Sequence, residues 1–450
     1  MKIGLLPLYI EIYDISSPHV RPRLEKFYNE IATQFENRGI SVERTEDFCR
    51  LKPEFEKAVA DFEAANVDAI VTLHMAYSPS LESIDVLSKT ELPIVVLDTT
   101  ETLEFTNEQS SGEIMYNHGI HGVMDMCSML KRYGKAYAIA AGHYTESNVI
   151  DEACGLVRAA VAAKALSKAH VGLVGGAFDG MGDFAVEPAE LKERFGITVE
   201  ALDAEVLKEY TAKADKASVE AELKLDKERF EFPEDMDWEK YEKIVSVCLG
   251  MRKCIEEKGL TAFSANFRNV KEMPFIECCK AMERGIGYAG EGDGLTSAFV
   301  GALLNAYQET GFVEIFCPDW KNDIVFLSHM GEVNYATVEG KPLVAYKGGF
   351  VDTYAAYARM KGGQGVYVNI SRDKDDYQLL LAQAEMVSYD HDNFPTSMRG
   401  WMKPANGTTA EFLKAHSVHG ATHHSIFVYG ATVEEMEFFG KLLDMKIVVI

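Results

Sequence analysis

Over residues 1–165, short apolar runs alternate with amphipathic segments of helical period, and this alternation constrains the chain more than any other feature. KIGLLPLY leads into PRLEKFYNEIATQFENRG, which stops at Gly39; ISVERTEDF precedes the helical PEFEKAVADFEAANV; DAIVTLHMAYSP, LPIVVLDTT and KAYAIAAGHY follow as further strands. Strands separated by helices at this spacing predict a parallel sheet covered on both faces. Such sheets bind ligands beyond the carboxyl ends of their strands. His74, Asp98 and His143 fall at such ends.

A second alternation starts at HVGLVGG and runs through TAFSANF and the helical MPFIECCKAMERG to GIGYAGEGD, a strand ending that carries Glu291. The stretch 200–243, dense in Glu, Lys and Ala, is expected to be mostly surface helix. FDGMGDF has neither GxGxxG nor GK[ST], so it predicts a tight turn beside a cleft and not a nucleotide loop. From about 323 the texture becomes short strands punctuated by turns: IVFLSHM, NYATVEG, KPLVAYKGG, GVYVNIS, AEMVSYD and SIFVYG. The expected architecture is therefore α/β: two Rossmann-like parallel domains, 1–165 and 166–322, then a small β-barrel-like C-terminal domain, 323–450.

Charge and cysteines narrow the class. With 45 Lys and Arg against 70 Asp and Glu, the formal net charge of −25 argues against nucleic-acid or anionic-membrane partners. No window holds 18 uninterrupted apolar residues, so no transmembrane helix is expected. The opening MKIGLLPLYIEIYD soon meets Glu11 and Asp14 and reads as a first strand, not an export signal. Eight cysteines without zinc-knuckle spacing fit reduced thiols in a cytoplasm.

The chemistry concentrates at the edges of apolar runs. Glu291 is bracketed by glycines that let the backbone turn tightly. Glu314 in FVEIF is flanked by apolar residues, so its carboxylate needs a partner, a metal or a proton. Asp319 in PDWKND competes with it, and spacing alone does not separate the two. His329 closes IVFLSHM. His423 and His424 point to opposite faces if THHSIF is a strand, so at most one of the pair faces a metal. Two carboxylates and two imidazoles, with room for sugar oxygens or water, suit six-coordinate Mn²⁺, or else Co²⁺ or Mg²⁺, better than tetrahedral zinc.

These segments resemble the L-arabinose isomerase and L-fucose isomerase superfamily, closer to the arabinose side. GYAGEGD resembles the first metal-glutamate segment, FVEIF the second, NDIVFLSHMGEV the first metal-histidine segment and ATHHSIF the last. The resemblance thus implies Glu291, Glu314, His329 and His424 as metal ligands, with the two glutamates as acid and base. HMAYSP, containing His74, and the HG pair at 121–122 match the family's N-terminal segments. The histidine matching His121 reaches a neighbouring subunit's site, which implies a homo-oligomer, trimer or hexamer, with His121, His118 and His74 as sugar-binding residues. The stretches from Glu291 to Glu314 and from Glu314 to His329 are shorter than in typical arabinose isomerases, which keeps Asp319 open as the second ligand.

The expected activity is metal-dependent interconversion of an aldose and its 2-ketose. Pentoses, deoxyhexoses, hexoses and aldoses with a C6 anion (a sulfo sugar among them) share the same C1–C2 end; an anion would call for Arg268 or Lys403. The alternative from another class is a non-catalytic sugar-binding protein. A metal hydrolase would need an HxH or HExxH motif, which the sequence lacks.

Overall fold

A computed structural model describes residues 1–374 and 376–450, which fall into two compact units, Met1–Val161 and Ala162–Ile450. In the first unit, β1 (Lys2–Leu8), β2 (Ser41–Arg44), β3 (Ala69–His74), β4 (Ile94–Asp98) and β5 (Tyr137–Ala141) form one parallel sheet in the order β2-β1-β3-β4-β5. The central strands β1, β3 and β4 are almost wholly buried, as a sheet covered on both faces requires. Helices Lys52–Ala64 and Ile120–Arg132 supply Phe55, Val59, Phe62, Val123, Met126 and Leu130 to its core.

His74 ends β3 at 4% exposure, and neither ring nitrogen has a hydrogen-bond partner. Burial pushes its pKa down from 6.5 to about 3. The unfolded chain therefore binds a proton below pH 6.5 that the folded ring refuses until near pH 3. Stability from this group is complete above 6.5 and drains as pH falls towards 3, by on the order of 4 kcal/mol. Urea midpoints recorded from pH 7 to pH 4 should fall steeply in the wild type and less steeply in His74→Gln; equal slopes would contradict this origin.

The second unit opens with a parallel sheet ordered β7-β6-β8-β9, built from β6 (His170–Val174), β7 (Thr198–Leu202), β8 (Ala262–Ala265) and β9 (Gly287–Tyr288). The segment expected to be surface helix forms helices Ala204–Thr211 and Lys216–Arg229 and the start of Trp238–Lys258, and it is only partly solvated. Glu222 and Asp226 are buried because Lys280 and Arg252 meet them, with Lys280 Nζ and Arg252 Nη2 2.6 and 2.8 Å from Glu222 Oε1. Helix Gly294–Leu304 is buried at every residue, as a helix apolar at all but Thr296 and Ser297 demands. It packs against β6, β8 and β9 and also against the strands β10 and β17 described next, so sheet and barrel share it.

Strands β10 (Thr310–Asp319), β11 (Ile324–Ser328), β14 (Gly363–Asp373), β15 (Asp376–Val387), β16 (Gly400–Pro404) and β17 (His424–Tyr429) pair antiparallel in the cycle β14-β17-β10-β11-β16-β15 and back to β14. Hairpin β12 (Val338–Lys347) and β13 (Thr353–Met360) stands apart from this closed six-stranded barrel, and β18 (Lys446–Val449) adds to β15 in parallel. The barrel's first strand begins at Thr310, ahead of the change of texture at 323. Among the described residues no helix is long and apolar enough to cross a membrane.

Candidate active site

Three loops at the carboxyl ends of β6, β8 and β9 meet over the sheet. Phe178 N–H donates to the Glu291 carbonyl at 2.9 Å. Asn266 Nδ2 reaches the Ala177 carbonyl at 2.9 Å, and Ser264 Oγ both donates to the Ala289 carbonyl and accepts from Gly292 N–H. These bonds fix the turn that carries Glu291, whose φ of 63° is left-handed and unusual for a residue with a side chain. Its flanking glycines are required by contact. A Cβ on Gly290 would lie 2.5 Å from His329 Cε1, and one on Gly292 would lie 2.4 Å from Gly176 O and Ala177 Cα.

Barrel register brings the other groups to this turn. Glu314 on β10 stands directly across from His424 on β17, and on its other side across from Ser328, the residue before His329. Directly opposed residues share a face. Glu291 Oε2 lies 3.6 Å from His424 Nε2, and Glu314 Oε2 lies 3.6 Å from His329 Nε2. Glu291, His329 and His424 are buried, and one ligand atom from each lies within 4.8 Å of the others. Glu314 stands beside this trio.

Both imidazoles are held from behind. His424 Nδ1 lies 3.0 Å from Asp293 Oδ2, and His329 Nδ1 lies 2.7 Å from Glu332 Oε2. Each ring therefore offers Nε2 to the centre, the arrangement by which carboxylates orient metal-binding histidines. His424 Nε2 is buried without a hydrogen-bond partner, which suits a ligand atom awaiting a cation. Asp293 also caps helix Gly294–Leu304 by accepting from Thr296 N–H at 2.8 Å. Phe312 packs edge-on against both rings, and Phe184 stacks on His424 at 4.7 Å.

The two glutamates titrate in opposite directions. Burial would raise Glu291, but His423, His424 and His329 draw it down to about 2. Burial raises Glu314, and the same histidines only partly offset it. Carboxyls separated in this way are suited to opposite protonation roles. His423 does not take the opposite face expected of a strand residue: it precedes β17, its ring lies 4.3 Å from that of His424, and it pairs with Asp183 at 2.6 Å while setting its Nε2 3.7 Å from Glu291. The Asp183 and Glu291 carboxylates hold His423 up at about pH 10.

Asp319 is not brought to this cluster. It lies at the far end of β10, where it caps the β10–β11 turn, accepting from Lys321 N–H, Asn322 N–H and Asn322 Nδ2. His118 and His121 lie in the first unit with rings 6.0 Å apart; His118 Nε2 meets Tyr13 Oη at 3.0 Å, and His121 is exposed. Lys403 is exposed opposite Glu385 on the barrel wall, whereas Arg268 lies over the Phe178 ring at 5.0 Å. Asp183, Asp293 and Glu332 escaped the sequence reading, although an acid before a helix start (GEGDGLT) and an acid three residues after a histidine (HMGE) were visible signals.

The L-arabinose isomerase central-domain family model matches residues 178–308, and the L-arabinose isomerase C-terminal-domain model matches residues 309–446, more than half the chain together. With the carboxylate–imidazole site at their junction, these matches define an enzyme, an aldose–ketose isomerase. An L-arabinose isomerase from Erwinia tasmaniensis is 25% identical over 430 residues, covering 88% of this chain and 84% of its own. One from Yersinia pestis is 23% identical over 417 residues, covering 87% of this chain and 82% of its own. The chain belongs to the arabinose isomerase superfamily. A periplasmic solute-binding protein from Actinobacillus succinogenes with bound D-allose matches 68% of this chain and 91% of its own at 14% identity and a TM-score of 0.17.

Proposed function

We propose that this enzyme interconverts an aldose and its 2-ketose through a cis-enediolate, with Glu291 and Glu314 as acid and base. The convergence of Glu291, His329 and His424 in one buried cluster, with Glu314 brought beside it by its register against His424, is the observation that carries the reading. Isomerisation must move one proton between C2 and C1 and another between O2 and O1. A carboxylate takes the carbon-bound proton and returns it as the acid on the neighbouring carbon, while a carboxyl serves the oxygens. Phe312 and Phe184 pack against the imidazoles and make that wall of the site apolar.

Glu291, Glu314, His329 and His424 would hold a divalent ion, Mn²⁺ before Co²⁺ or Mg²⁺, because oxygen and imidazole donors in this proportion suit such cations. A bound divalent ion would polarise the sugar carbonyl and stabilise negative charge on its oxygens. Asp293 and Glu332 orient the two imidazoles. Exposed His121, with His118, would contact sugar hydroxyls from a neighbouring subunit of a trimer or hexamer.

Incubating Mn²⁺-loaded protein with a panel of aldoses in deuterated water tests the reading. Ketose should form, with metal-dependent deuterium at the carbon that exchanges. Binding of sugar without ketose or deuterium would favour the sugar-binding alternative.

A further inference from the structure

Lys347 ends β12, half-buried, and among the described residues its ammonium donates no hydrogen bond and makes no ion pair. A half-buried cation left in this way is costly unless something completes it. Other buried or half-buried lysines are satisfied: Lys280 meets Glu222 and Asp226, and Lys135 donates to the Thr90 carbonyl. In the antiparallel register, Lys347, Ala345 and Leu343 share a face with Thr353, Ala355 and Tyr357. That face lies against the site: Ala355 packs on Gly331, between His329 and Glu332. Lys347 Nζ is 5.9 Å from the Tyr357 ring centre; burial lowers the ammonium's pKa, and the Glu332 carboxylate that orients His329 only partly offsets it.

A second cation flanks the same rim. Arg268 follows β8 and lies over Phe178, the residue bonded to the Glu291 carbonyl, and no carboxylate among the described residues pairs with its guanidinium. Phe178, Phe267 and Phe350 form a chain of ring contacts at 5.5 and 6.4 Å from the Glu291 turn to the hairpin tip. Asp352 N–H donates to the Lys271 carbonyl at 2.9 Å, and Thr353 Oγ1 to the Met273 carbonyl at 2.7 Å, tying the hairpin to the strand of chain that carries Arg268. The floor, by contrast, is acidic: Asp183, Glu291, Asp293, Glu314 and Glu332. Half-buried Lys347 at the end of β12 and exposed Arg268 after β8 are thus cations without a carboxylate partner among the described residues, on tethered segments beside an acidic cluster.

We propose that Lys347 and Arg268 form a distal subsite that selects an aldose carrying an anionic group, a phosphate or a carboxylate, at the end of the carbon chain remote from C1. The proposal rests on the isomerase reading for the C1–C2 end and adds the class of substrate. Sugar stacking on Phe178 or Phe267 would leave the anion between the two cations, where charge-assisted hydrogen bonds complete Lys347.

Titration calorimetry on the Mn²⁺-loaded protein tests the subsite without turnover, using a pentitol 5-phosphate, the neutral pentitol and inorganic phosphate. The pentitol phosphate should bind most tightly, and Lys347→Met or Arg268→Gln should weaken it by about tenfold to hundredfold. Lys347→Arg should restore part of the loss, with thermal melting confirming that each variant is folded. Steady-state assays of an aldose 5-phosphate, a uronate and their neutral counterparts then identify the anion. The ratio of kcat/KM, anionic to neutral, should exceed one and fall in Lys347→Met, chiefly through KM. Equal binding of pentitol and pentitol phosphate, inorganic phosphate binding as tightly as the pentitol phosphate, or unchanged affinity in both variants would each overturn the proposal. If no aldose is turned over but the pentitol phosphate binds through Lys347, the isomerase reading fails and the subsite stands.

Discussion

Glu314→Gln is expected to lower kcat by at least about 10³-fold while leaving the protein at least as stable as the wild type, the first part because an amide cannot exchange a proton with the sugar. The stability half follows from the direction of titration. Burial raises the Glu314 carboxyl, so its ionised form is disfavoured in the folded chain, and a neutral amide of the same shape removes that cost. Glu291→Gln should lose activity to a similar degree but should also destabilise. The Glu291 carboxyl is depressed to about 2 against a usual 4.5, so it stabilises the fold above pH 4.5 and loses that contribution as pH falls towards 2. Melting curves at pH 7 beside single-turnover assays separate the two variants. Turnover in Glu314→Gln within tenfold of wild type would remove Glu314 from the reaction, whatever the melting curves give.

The contrast between these two glutamates also marks what the sequence could carry. Glu291 was legible because its glycines announce a turn that only close backbone approach demands, and Gly290 and Gly292 indeed have no room for a Cβ. Glu314 was not separable from Asp319 by spacing. What separates them is a long-range register, Glu314 against His424 and Ser328, together with a shift in pairing between Ile315 and Cys317. Local periodicity contains neither. The same limit explains Glu222 and Asp226, which read as solvated helix because Arg252 and Lys280, the cations that let them be buried, lie about one to two helices further along the chain. The alternation of strands and helices, by contrast, is a local property repeated many times, and both parallel sheets follow it. The histidine pair shows the same limit: alternation predicted opposite faces, but His423 precedes β17 and both rings approach Glu291, His424 backed by Asp293 and His423 by Asp183.

Glu332→Ala should damage stability and metal affinity together, without touching any atom that would meet substrate. Glu332 is 2% exposed and accepts from Tyr288 Oη at 2.9 Å, from Gly331 N–H at 2.7 Å and from His329 Nδ1 at 2.7 Å. Burial would raise its carboxyl; the His329 ring, the Gly331 N–H and the Tyr288 hydroxyl outweigh it and keep the carboxyl below its ordinary value. Truncation leaves those buried donors unanswered, which costs about 3–5 kcal/mol when a buried partner is removed. It also frees the His329 ring to turn its Nε2 away from Glu314 and Glu291, and loss of an orienting carboxylate typically weakens a metal site about 10- to 100-fold. Glu332→Gln separates the two effects, because its amide oxygen can still accept from Tyr288 or Gly331 while its hold on His329 is weaker than a carboxylate's. Calorimetric Mn²⁺ affinity should therefore fall in both variants, whereas the melting temperature should fall far more in Glu332→Ala. A Glu332→Ala protein that bound Mn²⁺ as tightly as wild type would show that His329 is oriented by the barrel alone, with Phe312 and the β11 register sufficient to aim its ring.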